Sequence, residues 1–139
     1  MVRMLQGVVD GVHSPVAGVK KGTGVRLRFR YGFENEMGGK TGTTQNQSDG
    51  YFMGITPNLV TGVWSGCEDR AAHFRNIHYG QGANMALPVF AEYMQRVYAD
   101  TLESGIYPID FDIPKAIDLK LDCGEAINNT GADEFDEEF

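Results

Sequence analysis

The sequence predicts an α+β fold, about three antiparallel strands with an N-terminal and a C-terminal helix. Three observations predict it. Met1, Met4, Leu5, Val8 and Val9 recur at helical spacing and mark an amphipathic helix. Tyr51 to Ile55 and Leu59 to Trp64 are two strand runs joined by Thr56-Pro57-Asn58, a hairpin connection. Leu87, Phe90, Ala91, Met94, Val97 and Tyr98 form the apolar face of a second helix.

No capping residue precedes Met1, so the first helix reads as one entered part-way, the pattern of a piece of a longer chain. Its Met1, Met4 and Leu5 are expected in the core. Gly11 to Gly24 is loop-like in composition. Val25 to Tyr31 alternates apolar residues with Arg26, Arg28 and Arg30; a half-buried strand fits, and a short helix capped at Thr23 fits equally. Lys40 to Thr44, opened by Gly38-Gly39 and rich in Thr, reads as the first of the three strands. Gln45 to Ser48 is a polar turn, with Asp49 expected to cap or brace the hairpin. Ser65 to Gly82 reads as a long polar loop in which Phe74 and Tyr79, like Trp64 before it, are expected to pack. Pro88 fits only in the first turn of the last helix, because deeper inside it removes a backbone donor.

After Asp100 the pattern thins. Ile117, Leu119 and Leu121 alternate with Asp118, Lys120 and Asp122, enough for one short strand, and Asp133 to Glu138 reads as a mobile, solvated acidic end. The net charge of −7 is unevenly placed, +3 over residues 1–99 and −10 over residues 100–139. This divides the chain into a globular body, 1–99, and a partly disordered acidic extension, 100–139. Three arginines on one face are too few for a nucleic-acid patch, so no nucleic-acid partner is expected. No stretch approaches the ~20 apolar residues of a membrane span, and no secretory segment follows Met1. The chain is thus either cytoplasmic or part of something larger. Cys67 and Cys123 form no recognisable framework, and Cys67, His73 and His78 match no zinc spacing, so neither a metal nor another cofactor is expected.

The chemistry concentrates in Gly38-Gly39-Lys40-Thr41-Gly42-Thr43-Thr44, followed by Asp49-Gly50-Tyr51-Phe52-Met53-Gly54. Gly39-Lys40-Thr41 invites a phosphate-loop reading. That motif needs a glycine where Glu34 stands and a helix after the Lys-Thr pair, which Gly42 and the polar run Gln45–Asp49 disfavour. Lys-Thr-Gly is also one of the three signatures of penicillin-binding proteins and serine β-lactamases. On an edge strand, an ammonium and neighbouring hydroxyls bind a substrate carboxylate by charge-assisted hydrogen bonds. A glycine between them lets the substrate approach the backbone, and the next amide can face a developing oxyanion.

The longer run resembles the transpeptidase domain of class A (bifunctional) penicillin-binding proteins. It is carried by Lys40-Thr41-Gly42-Thr43-Thr44, Asp49-x-Tyr51-Phe52-x-Gly54 and Thr56-Pro57-Asn58-Leu59-Val60-Thr61-Gly62-Val63-Trp64. Val8-Val9, Gly22-Thr23-Gly24, Gly80, Gly82, Ala86 and Pro88 add to it, over roughly residues 1–99. Tyr51 departs from the family's usual tryptophan. The resemblance implies the C-terminal part of a penicillin-binding-protein/serine β-lactamase-like fold, from a membrane-anchored peptidoglycan synthase. That enzyme attacks the D-Ala–D-Ala end of a stem peptide with a serine, forms an acyl-enzyme, releases D-Ala and cross-links to a neighbouring amine; β-lactams mimic the substrate. It implies that Lys40 supplies positive charge, that Thr41 and Thr43 hold the carboxylate, that the Thr43 amide is half of the oxyanion hole, and that Thr44 is a wall residue beside Gly42. It further implies the bacterial cell envelope as the working compartment, at the outer face of the cytoplasmic membrane.

The nucleophile is missing. Ser14, Ser48, Ser65 and Ser104 have Ala17, Tyr51, Glu68 and Tyr107 three residues on, so there is no Ser-x-x-Lys, and no serine has Asn two residues on. The chain is therefore expected to be inert alone and to need the upstream half of the domain. Without it an open strand edge and an uncovered apolar face should drive dimerisation, element swapping or aggregation. The alternative is a non-catalytic binding module on the same scaffold, with the acidic extension as its contact; a solubilising extension is the simpler reading of that segment.

Overall fold

The chain enters through α1 (Val2–Asp10), passes a short ribbon of β1 (Val12–His13) and β2 (Lys20–Lys21), and makes one helical turn, α2 (Arg26–Phe29). Three strands follow, β3 (Gly38–Thr43), β4 (Gly50–Thr56) and β5 (Leu59–Ser65), paired antiparallel in chain order. Then come α3 (Ile77–Gly80), α4 (Gly82–Ala99) and α5 (Thr101–Ser104). The computed structural model describes residues 1–13 and 20–112. The α+β class and the three-stranded antiparallel sheet between helices are as the sequence predicts.

The sheet is one-sided because β4 alternates. Phe52, Gly54 and Thr56 are buried, whereas Tyr51 and Met53 are exposed. The buried face lies under α4, where the rings of Phe52 and Phe90 stand 4.8 Å apart. Gly54 makes the close approach possible, since a Cβ there would lie 2.3 Å from the Phe90 ring. Around this pair gather Val9, Leu27, Phe33, Met37, Ala86, Leu87, Ala91 and Met94. Burying each large apolar side chain contributes roughly 1.5–3 kcal/mol. The opposite face is open: Tyr51, Met53, Val60 and Trp64 are 41, 46, 66 and 52% exposed.

Several local expectations are corrected. Of the two readings open for Val25–Tyr31, the helix holds at its centre, but its start is not capped by Thr23. The helical turn lets Arg28 tie three groups together through four hydrogen bonds, donating to Asp10 Oδ1 at 2.5 and 2.8 Å and to the carbonyls of Phe33 and Asn35 at 2.8 and 2.7 Å. The loop-like Gly11–Gly24 stretch contains the β1–β2 ribbon, and Ser65–Gly82 contains the turn α3. Met1 and Met4 are 97 and 69% exposed, because α1 turns Gln6 and Val9 inward instead. Trp64, Phe74 and Tyr79 do not pack as expected; they are 52, 43 and 61% exposed.

Pro88 lies inside α4, beyond its first turn. A proline there leaves the carbonyl four residues back without its helical donor. The preceding turn is held from outside, where the Arg26 guanidinium donates to the Ala83 carbonyl at 3.3 Å and to the Asn84 side chain.

The start of the acidic extension packs back on the body. Asn58 Nδ2 donates to the Tyr107 carbonyl at 3.2 Å, and the Glu36 N–H donates to Asp110 Oδ1 at 2.8 Å. Glu36 Oε2 accepts from the Phe111 N–H at 3.2 Å and from Gln6 Nε2 at 3.0 Å. The strand expected over Ile117–Leu121, Cys123 and the acidic end Asp133–Glu138 lie outside the described residues. Among the described residues no helix is long and apolar enough to cross a membrane.

Candidate functional site

The site is built on β3. Its two opening glycines are forced by packing. A Cβ on Gly38 would lie 3.0 Å from Leu5 Cβ and Ile55 Cγ1, and one on Gly39 would lie 2.6 Å from Phe52 Cζ. Beyond them the strand alternates, so Lys40 and Gly42 share one face while Thr41 and Thr43 share the other. Opposite them on β4 stand Met53, Phe52, Tyr51 and Gly50, in the order Lys40 to Thr43. Lys40 is exposed on the open face with Met53, Tyr51 and Trp64, and its Nζ donates to the Thr41 carbonyl at 2.5 Å.

Each threonine hydroxyl has a different partner. Thr41 Oγ1 donates to Thr23 Oγ1 at 3.1 Å. Thr43 Oγ1 accepts from the Gly82 N–H at 3.1 Å, at the first residue of α4. Thr44 turns into the β3–β4 connection, where its Oγ1 lies 3.0 Å from Ser48 Oγ and donates to Asp49 Oδ2 at 3.1 Å. The Thr44 N–H donates to the Asp49 carbonyl, toward β4. Successive strand amides point in opposite directions, so the Thr43 N–H faces the outer edge of β3, where no strand pairs among the described residues.

Asp49 braces the far end of the hairpin. Its carboxylate accepts from Thr44, from Ser48 at 3.0 Å and from the Trp64 indole N–H at 3.3 Å, with Arg70 Nε 3.9 Å away. At Tyr98, away from this strand, burial pushes the phenol above its ordinary value, while the hydrogen bond from Asn35 acts the other way.

Lys40 and Thr41 lie inside a strand, so the helix N-terminus that a phosphate loop requires is not there. The Ser48 hydroxyl is buried in the Asp49 network, and Ser104 Oγ donates to the Val97 carbonyl. Ser14 lies outside the described residues. Cys67 and His73 line a hollow of about 340 Å³ with Ser48, Ser65 and Phe74, whereas His78 stands edge-on to Tyr79. Two neighbours of the strand were not legible as site residues, Thr23 and Gly82. The signal for each was a glycine pattern: Gly22 and Gly24 around Thr23, and Gly80-x-Gly82 at the helix start.

No protein-family model matches the chain. Among curated proteins it is similar to penicillin-binding protein 1A of Aquifex aeolicus, 35% identical over 79 residues, and to penicillin-binding protein 1B of Vibrio cholerae, 33% identical over 113 residues. Penicillin-binding protein 1A of Escherichia coli is 34% identical over 87 residues. These matches cover 56, 78 and 52% of the chain. The chain spans only 10, 14 and 10% of the length of the same three relatives.

Proposed function

We propose, the chain being homologous to the class A penicillin-binding proteins, that it supplies the substrate-binding strand of a serine transpeptidase domain acting on peptidoglycan stem peptides. The observation that carries this reading is the double provision at Thr43. Its N–H faces the free edge of β3, and its hydroxyl oxygen already accepts from Gly82, leaving its own proton to donate outward. An anion-accepting donor and an oxyanion-facing amide thus sit on one residue. Lys40 adds the charge, and Thr41 a second hydroxyl.

In the complete domain a serine from a Ser-x-x-Lys element, which this chain lacks, attacks the carbonyl carbon of the penultimate D-Ala. The Thr43 amide shares the developing oxyanion, and the substrate carboxylate rests on the hydroxyls of Thr41 and Thr43 beside Thr44. The peptide bond breaks and the terminal D-Ala leaves with a proton. A neighbouring amine then displaces the serine oxygen, completing the cross-link. β-Lactams enter the same edge. Lys40 shares the open sheet face with Tyr51, Met53 and Trp64, which suits docking of the upstream half that carries the serine. The whole protein would work in the bacterial cell envelope, at the outer face of the cytoplasmic membrane.

The test is intact mass after incubation with excess penicillin. No mass gain by the chain alone is expected, with a single covalent adduct once a polypeptide carrying the Ser-x-x-Lys and Ser-x-Asn elements is added. An adduct on the chain alone would overturn its assigned inertness. No adduct in the reconstituted mixture, together with carboxylate-dependent binding by the chain alone, would favour a non-catalytic binding module.

A further inference from the structure

We infer that Thr23 is a positioning residue for the carboxylate subsite, acting through the hydroxyl of Thr41; the inference rests on the reading of β3 given above. Three observations meet at this residue. Its side chain is exposed beside the free edge of β3, and its Oγ1 stands 3.1 Å from Thr41 Oγ1. It is the one side chain of the triplet Gly22-Thr23-Gly24, whose two glycines are fixed by backbone contact. A Cβ on Gly22 would lie 2.6 Å from the Val8 carbonyl oxygen, one on Gly24 would lie 3.2 Å from it, and the Gly24 N–H donates to that same carbonyl at 2.9 Å. The end of α1 therefore holds Gly22 and Gly24 in place and presents Thr23 between them. Finally, the Thr23 hydroxyl does not cap α2, the local role open to a threonine at that position.

The chemistry follows from proton counting. A carboxylate only accepts, so each hydroxyl that binds it must donate. Thr43 is prepared, because Gly82 occupies a lone pair of its oxygen. Thr41 is not, because its proton points at Thr23. When an anion arrives, the Thr41 proton turns to it, and the Thr23 proton turns to the lone pair that Thr41 then offers. The chain of two hydroxyls reverses without breaking its internal bond. Removing the Thr23 hydroxyl leaves Thr41 without that support when it donates to the anion.

The test is an NMR titration of the chain with acetyl-D-alanyl-D-alanine and with its C-terminal amide, read at the Thr41 and Thr43 amides. Thr23→Val should weaken the carboxylate ligand about threefold to tenfold, the worth of one hydrogen bond. It should leave the amide unchanged, and Thr23→Ser should restore wild-type binding. Thr43→Val serves as the control for the strand itself. If Thr43→Val abolishes the preference for the carboxylate and Thr23→Val does not alter it, the Thr23 inference is wrong and the strand reading stands. If the unaltered chain does not distinguish the two ligands, both are wrong. Equal loss for both ligands in a folded Thr23→Val chain would make Thr23 a structural residue and also overturn the inference.

Discussion

The Gly82 N–H donates to the Thr43 hydroxyl across 3.1 Å, so the start of α4 and the end of β3 are joined by one hydrogen bond. Gly82 can come this close because it lacks a side chain. A Cβ there would lie 2.4 Å from the carbonyl oxygens of both Gly42 and Tyr51. Gly82→Ala should therefore push α4 off the sheet and lower stability by about 1–3 kcal/mol. Urea denaturation measures the loss, and the same variant should lose the preference for a carboxylate ligand. An alanine variant as stable as the parent would show that α4 does not seat against β3 in this way.

Asp49 is buried and its carboxylate collects Thr44, Ser48 and the indole of Trp64. Asp49→Ala leaves those donors without their acceptor, and a loss of about 1–3 kcal/mol is expected. Trp64 is the chain's single tryptophan, so a shift of its fluorescence reports the broken bond directly. Arg70, 80% exposed and 3.9 Å away, should contribute little, and Arg70→Ala is expected within about 0.5 kcal/mol of the parent.

The open sheet face makes a prediction about association. Met53 and Val60 stand exposed on neighbouring strands, and β5 carries no further partner among the described residues. A bare apolar face beside an open edge favours self-association. Sedimentation velocity should show a concentration-dependent dimer or larger species, reduced in a Met53→Lys/Val60→Lys double variant. A parent chain that stays monomeric at high concentration would mean that this face does not need a cover.

Tyr98 gives the pH dependence its sign. Burial raises its folded-state pKa above the ordinary value of 10.0, so the folded state holds the phenolic proton more tightly than the unfolded chain does. Its stabilising contribution is complete below that ordinary value and is lost as pH rises through the higher folded value. Melting temperature should fall on the alkaline side of pH 10, and Tyr98→Phe should flatten that part of the curve. An identical alkaline slope in the variant would assign the effect to other groups.

The hairpin of β4 and β5 and the Lys-Thr-Gly-Thr strand were legible in the sequence because their signals are local. Alternation, Thr content and the Pro57-Asn58 turn act within a few residues, and so does the glycine pair that opens β3. The amphipathic stripe of α1 placed the helix correctly but not its rotation, because Gln6 is drawn inward by Glu36, thirty residues away. The same limit left strand and helix equally open for Val25–Tyr31. Its arginines alternate as in a strand, but Arg28 bonds to Asp10 and Arg26 to Asn84, contacts that no local pattern announces.

The sequence by itself determined the Lys-Thr-Gly-Thr strand, its residue types and the absence of a Ser-x-x-Lys run. These are properties of neighbours along the chain. The tertiary structure decided how each hydroxyl is used: Thr41 meets Thr23 from 18 residues away, Thr43 meets Gly82 from 39, and Thr44 turns inward to Asp49. It also decided that Pro88 could lie deep in α4, where Arg26 supports the turn before it. Such pairings depend on where folding brings distant segments together, and the few ångströms that make a hydrogen bond leave no periodicity to read.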